Sequence, residues 1–138
     1  MSTTGQNKVV IYTDGACKGN PGPGGWGVVL RSGDKEKHLH GGELMTTNNR
    51  MEMTACARAM RIALTQGYSS VKILTDSKYV VDGLTSWMHG WKRNGNFQPG
   101  LKNFDLWKEL DELFSELKPD IKWVRGHNGN AGNERADE

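Results

Sequence analysis

Four acidic residues, Asp14, Glu52, Asp76 and Asp137, could do chemistry, and each also has an ordinary structural use. Asp14 with Gly15 makes a good turn pair at the end of a β-branched run. Glu52 lies three residues after Asn49, where it suits a capping-box-like helix start. Asp76 precedes a helical pattern and suits a helix cap. Asp137 taken alone reads as any solvated acid. The other reading is collective. If the strands that end at Asp14 and Asp76 are parallel neighbours, the two carboxylates sit side by side at the carboxyl ends of the strands, where open α/β sheets place their sites. Glu52, flanked by Met51 and Met53 in the first turn of a largely apolar helix, reaches the same point. Carboxylates crowded into one half-buried spot repel each other, so at neutral pH they bind either protons or cations. Hard, oxygen-preferring Mg²⁺ or Mn²⁺ suits such a set.

The elements that must position these groups follow from the hydrophobic pattern. Lys8 to Asp14 reads as a buried strand that stops at Gly15. After a Gly/Pro-dense loop from Gly15 to Gly25, Trp26 to Arg31 is a second strand, and the turn Ser32-Gly33-Asp34 leads to a third around Glu36 to Leu44. Arg50 to Gln66 is helical, with Met51, Ala55, Ala59, Ile62 and Ala63 on one face and Met53, Ala57, Met60 and Leu64 on another. A helix apolar on so many sides should be largely buried. Ser70 to Thr75 is a fourth strand. A helical stretch then opens at Asp76-Ser77 and runs to Trp91 with an interruption near Gly83. Leu106, Leu110, Leu113, Phe114 and Leu117 mark an amphipathic helix ending before Pro119, and Ile121 to Val124 is the fifth strand. A meander followed by strand-helix-strand order implies an α/β fold: a mixed five-stranded sheet, antiparallel meander plus parallel strands, flanked by helices.

Length and composition bound the rest. With 138 residues and 15.3 kDa, residues 1–138 are expected to form one domain with its own core. Apolar residues at 36% and charged residues at 25% describe an ordinary globule, and no run of about 18 apolar residues spans a membrane. The polar start, Met1 to Lys8, lacks the apolar stretch of a secretory signal, so the cytoplasm is the expected location; a monomer is expected. Cys17 and Cys56 form no Cys-x-x-Cys, which leaves reduced thiols as the plain reading. Net charge is only +2, but Trp87 to Lys102 holds His89, Lys92, Arg93 and Lys102 with no acid, interleaved with Trp87, Trp91 and Phe97. Such a patch suits nucleic acid, and equally suits a solvated loop.

Five segments carry a more specific resemblance. Tyr12-Thr13-Asp14-Gly15-Ala16, the run from Gly19 to Gly27, Thr46-Thr47-Asn48-Asn49-Arg50-Met51-Glu52, Thr75-Asp76-Ser77, and Gly126-His127 with Asn133-Glu134-Arg135-Ala136-Asp137 resemble, in order, the bacterial branch of the type 1 ribonuclease H family. The resemblance implies an endonuclease that hydrolyses the RNA strand of RNA/DNA hybrids and leaves 5′-phosphate and 3′-hydroxyl ends. It implies two Mg²⁺ ions, replaceable by Mn²⁺, held by Asp14, Glu52, Asp76 and Asp137. His127 matches the family histidine thought to help proton transfer or product release.

Substrate contacts are implied residue by residue. Asn20, Asn48 and Asn49 match positions that touch the minor groove of the hybrid, where A-form-like duplexes expose their 2′-hydroxyls. Asn48 and Asn49 also suit helix caps. Gly15 and Cys17 match backbone that approaches the RNA hydroxyls, Thr47 and Asn103 match a pocket for a DNA phosphate, and Trp87, Trp91, Lys92 and Arg93 match a basic protrusion that straddles the hybrid. Departures accompany these matches. Met45 stands where relatives often place an arginine in the phosphate pocket, and the protrusion is a few residues shorter. The helix expected from about Asn133 has roughly one and a half turns before Glu138, which would leave Asp137 the least firmly held ligand. Integrases and junction resolvases share such a fold and its acidic clusters, and a non-catalytic hybrid-binding module would keep the basic surface while losing a carboxylate. All four carboxylates and the Asn-Asn-Arg-Met-Glu segment favour the nuclease.

Overall fold

The computed structural model describes residues 7–125. Strand β1 (Lys8–Cys17) pairs antiparallel with β2 (Gly22–Ser32), which pairs antiparallel with β3 (Lys35–Thr46). Helix α1 (Asn48–Gln66) leads to β4 (Ser70–Thr75), which lies parallel to β1, and the order across the sheet is β3-β2-β1-β4-β5. A helical run follows β4 as α2 (Lys78–Asp82), a π-helical turn (Gly83–Trp87) and α3 (Met88–Arg93). Helix α4 (Phe104–Leu117) then returns the chain to β5 (Asp120–Trp123), parallel to β4. No helix among the described residues is long and apolar enough to cross a membrane.

Two differences from the sequence reading bear on the site. Residues 15–17 and 24–25, expected in a loop, extend the β1–β2 ladder through Gly15↔Trp26, Ala16↔Gly25 and Cys17↔Gly24, and Gly22 pairs with Thr46 of β3. Glycines stand there because the helix presses on the sheet. A Cβ on Gly15 would lie 2.5 Å from the Glu52 nitrogen and the Met51 carbonyl carbon, and one on Gly24 would lie 2.8 Å from the helix's Met51 Cγ and 2.6 Å from Thr46 Cγ2 of β3. The second difference is at Gly83, where the helix is not interrupted but changes pitch. Its φ of −61° needs no glycine, yet a Cβ there would sit 2.0 Å from the Trp107 ring. Steric demand explains both, and neither is visible in local propensity.

The core joins one sheet face (Val9, Ile11, Val28, Leu30, Val71, Ile73) to the helices through Met53, Ala59, Met60, Trp107 and Leu110. Burial of α1 is as expected, with Met51, Met53, Ala55, Cys56, Ala57, Ala59, Met60 and Ala63 all buried. Tyr79, Trp87, Trp91 and Trp107 stack in sequence with centroids 5.3–6.0 Å apart, which ties the α2–α3 run to α4.

Candidate active site

Parallel pairing sets the first two carboxylates. The β1–β4 register ends at Thr13↔Thr75, so Asp14 and Asp76 are each the next residue on neighbouring strands. Helix α1 starts beside them. Thr47 caps it, accepting from the Arg50 nitrogen at 3.2 Å, and the glycine-permitted contact at Gly15 brings Glu52 down onto the strand ends. One carboxylate oxygen each from Asp14, Glu52 and Asp76 lies within 4.8 Å of the others. Asp14 is buried and the other two are half-buried.

Three acids at this spacing cannot share charge without cost. Burial first, and the Asp76 charge after it, push the Glu52 carboxyl from an ordinary 4.5 up to about 7, while a hydrogen bond to Ser77 offsets part of the rise. Asp76 Oδ1 is buried with no hydrogen-bond partner. A bare buried anionic oxygen is costly unless a cation takes it. All the donors are carboxylate oxygens, which is the set a hard divalent cation prefers, and a charge of up to −3 matches such ions. Beneath the cluster lie Thr13, Thr75 and Cys56, all buried, with Thr13 Oγ1 and Cys56 Sγ 3.5 Å apart. Burial holds the Cys56 thiol up at about 11, so it stays neutral and inert.

The ordinary uses of these acids are not the ones adopted. Asp76 is not the cap of α2, because Ser77 accepts from the Val80 nitrogen at 3.1 Å. Glu52 is not the partner in a capping box, since Thr47 rather than Asn49 is the cap. Asn48 and Asn49 do not cap the helix either. Asn48 instead bonds outward: its Oδ1 accepts from the Cys17 nitrogen at 2.6 Å, and its own nitrogen donates to Asn20 Oδ1 at 3.0 Å. Cys17, Asn20 and Asn48 thus form one exposed group between β1 and α1.

Two of the other residues implied in substrate contact, Thr47 and Asn103, meet at a second place. Arg50 donates to Asn103 Oδ1 at 3.2 Å and makes a two-pronged pair with Asp105, at 3.0 and 2.7 Å. Asn103, at φ 61°, also donates to the Tyr79 hydroxyl at 3.1 Å. Thr47 and Asn103 therefore flank Arg50. Asn49 is half-buried in the first turn of α1. Along the α2–α3 run, Trp87 and Arg93 are exposed and Trp91 is half-buried in the aromatic stack. Lys92 Nζ is 2.9 Å from Asp111 of α4. The patch that holds no acid in sequence receives one in space. Asp137 and His127 lie outside the described residues.

Three participants escaped the sequence reading. Arg50 depends on Asp105, 55 positions away, and nothing local signals the pair. Ser77 was legible, since Ser ranks with Asp as a cap and the two stand side by side. Trp123 Nε1 donates to the Asp76 carbonyl at 3.2 Å, a contact that only the β4–β5 register creates.

Comparison with known proteins gives one consistent answer. The RNase H family matches residues 6–138. A "Ribonuclease H" of Polynucleobacter asymbioticus is 58% identical over 132 residues, covering 94% of this chain and 84% of the relative. The solved structure of LC9-RNase H1, described as a type 1 RNase H with the type 2 active-site motif, superposes with a TM-score of 0.84 at 34% identity, covering 94% of this chain and 68% of the other. LC11-RNase H1, solved in complex with an RNA/DNA hybrid, superposes with a TM-score of 0.69 at 26% identity, covering 94% and 91%.

Proposed function

This chain belongs to the ribonuclease H family, and we propose that it hydrolyses the RNA strand of RNA/DNA hybrids with two Mg²⁺ ions, leaving 5′-phosphate and 3′-hydroxyl ends. The observation that carries this reading is the convergence of Asp14, Glu52 and Asp76 within 4.8 Å. Asp137 is the fourth ligand in the proposal and His127 the accessory proton-transfer residue. Bound divalent cations supply a nucleophilic water and neutralise the leaving oxygen. The chain's own residues do the holding. Asp14 and Asp76 present carboxylates from strand ends fixed by the parallel ladder, and Glu52 presents a third from the buried helix. Mn²⁺ is the natural substitute, being equally oxygen-preferring.

Substrate selection falls to polar groups that meet sugar hydroxyls in a wide minor groove. Gly15, Cys17, Asn20, Asn48 and Asn49 line this part of the reading, and the bonds that join Cys17, Asn20 and Asn48, with the contact of Gly15 against the Glu52 backbone, support it. The Cys17 nitrogen and Asn48 Oδ1 satisfy one another, so the Asn48 Nδ2 is the group that reaches outward. Thr47 and Asn103 hold a DNA phosphate beside Arg50, while Trp87, Trp91, Lys92 and Arg93 span the far side of the duplex. We place the enzyme in the cytoplasm, and as a single-domain monomer, the latter checked by sedimentation of the purified chain.

The deciding assay incubates end-labelled hybrid, duplex DNA, duplex RNA and junction DNA with the protein, with and without Mg²⁺ or Mn²⁺. Cleavage of hybrid alone, only with metal and with 3′-hydroxyl ends, is expected. Preference for junction or duplex DNA would assign the site to the integrase and resolvase class instead.

A further inference from the structure

Trp123 ends β5 with 47% of its surface exposed, although it is the largest apolar side chain available. Packing does not account for it there. It lies opposite Thr75 in the parallel ladder, and the next backbone bond runs from the Val124 nitrogen to the Thr75 carbonyl at 2.8 Å. The Trp123 indole N–H then reaches one residue further and donates to the Asp76 carbonyl at 3.2 Å. That carbonyl belongs to a joint between two elements, because β4 ends at Thr75 and α2 is capped by Ser77. On the same ring, Lys78 Nζ lies 5.9 Å from the centroid.

Rotation at this joint would swing the Asp76 carboxylate away from Asp14 and Glu52, and wherever all three acids are ionised their mutual repulsion favours that movement. A bond to the Asp76 backbone opposes it without occupying either carboxylate oxygen. Asp76 Oδ1 stays bare and buried. Fixing a ligand before the ion arrives lessens the ordering that binding must impose. We propose that Trp123 is a positioning residue for the carboxylate centre, its indole N–H fixing the Asp76 backbone in the pose that receives a divalent cation. The inference rests on reading the centre as a metal site. Lys78 keeps the indole plane in register from the solvent side.

Trp123→Phe tests it, since this change removes the N–H and keeps a ring under Lys78. Calorimetric titration of the substrate-free full chain with Mg²⁺, and separately with Mn²⁺, should show about five-fold weaker binding, the factor that one net hydrogen bond supplies. The KM for hybrid at saturating metal should match the parent's, and raising Mn²⁺ should restore cleavage. The metal-free melting temperature should fall by no more than the loss of one hydrogen bond explains, about 4 °C. Equal metal affinity in parent and variant overturns the role. So does a much larger fall in metal-free melting temperature together with weaker binding, which would make Trp123 a packing residue. If the parent itself takes up no metal, the reading of the centre falls and the role of Trp123 with it. A saturable parent beside an unchanged variant removes the role of Trp123 alone.

Discussion

Glu52 makes the centre sensitive to pH in a definite direction. Its folded carboxyl titrates at about 7 and an unfolded one near 4.5, so the folded protein holds an extra proton between those values. Its contribution to stability is therefore fully present below about pH 4.5 and is lost as pH rises through 7. A bound cation reverses this, because it needs the carboxylate and must displace that proton. Melting curves of the metal-free protein should fall from pH 5 to 7.5, and added Mg²⁺ should raise the melting temperature more at pH 8 than at pH 5.5. Glu52→Gln should flatten both trends, and unchanged slopes in that variant would refute the assignment. Asp14→Asn and Asp76→Asn remove a ligand charge from the same spot. Each is expected to abolish hybrid cleavage while the metal-free fold melts no lower than the parent, because repulsion is relieved. Cleavage near the parental rate by either pure variant would refute the site.

At the level of elements, the approach of α1 to β1 positions the third carboxylate. Gly15→Ala places a methyl 2.5 Å from helix backbone at Met51 and Glu52, where no flexible side chain can yield. The helix must move outward, at about 1–3 kcal/mol of stability. Denaturant melts should show that loss together with weaker Mg²⁺ binding in calorimetry. Full metal affinity in a folded Gly15→Ala protein would mean that the contact does not set the distance to Glu52. Gly83 sets two effects against each other. Alanine gains about 1 kcal/mol in helix propensity, but its Cβ would lie 2.0 Å from the buried Trp107 ring. Overpacking of that severity outweighs the gain, so Gly83→Ala should destabilise by about 1–3 kcal/mol in urea melts. A stabilised variant would show that Trp107 can step aside.

For the whole molecule, the positive charge that the α2–α3 run leaves available to a nucleic acid is smaller than the sequence patch suggests. Lys92 is paired with Asp111 at 2.9 Å, whereas Arg93 makes no ion pair among the described residues. A phosphate must compete with Asp111 for Lys92. Arg93→Ala should therefore lower the slope of log affinity against log salt by close to one, the loss of about one phosphate contact. Lys92→Ala should lower it by less, and Asp111→Asn should strengthen hybrid binding at low salt. Filter-binding titrations across a salt series measure all three. Equal slopes for parent and Arg93→Ala would place α3 away from the duplex.

Much of this protein is determined locally. Alternation and β-branched runs mark strands, the apolar sides of residues 50–66 mark a buried helix, and strand-helix-strand order leaves few ways to arrange the sheet. The acids Asp14 and Asp76 were legible as a pair for the same reason, since parallel neighbours align their ends. Other features depend on residues distant in sequence. The glycines at 15 and 24 read as loop because propensity knows nothing of a helix pressed against them, and Gly83 read as a break because the Trp107 ring comes from α4. Asn48, Asn49 and Asp76 each satisfied a capping rule, yet Thr47 and Ser77 took the caps, which left the Asn48 side chain to the Cys17 nitrogen. Arg50 with Asp105, Lys92 with Asp111, and Trp123 with the Asp76 carbonyl join elements whose register is settled only when the core closes. Local sequence determines which elements form and what chemistry they carry. Tertiary packing decides which polar groups are left facing one another, because hydrogen bonds and ion pairs act over about 3 Å and have no counterpart in spacing along the chain.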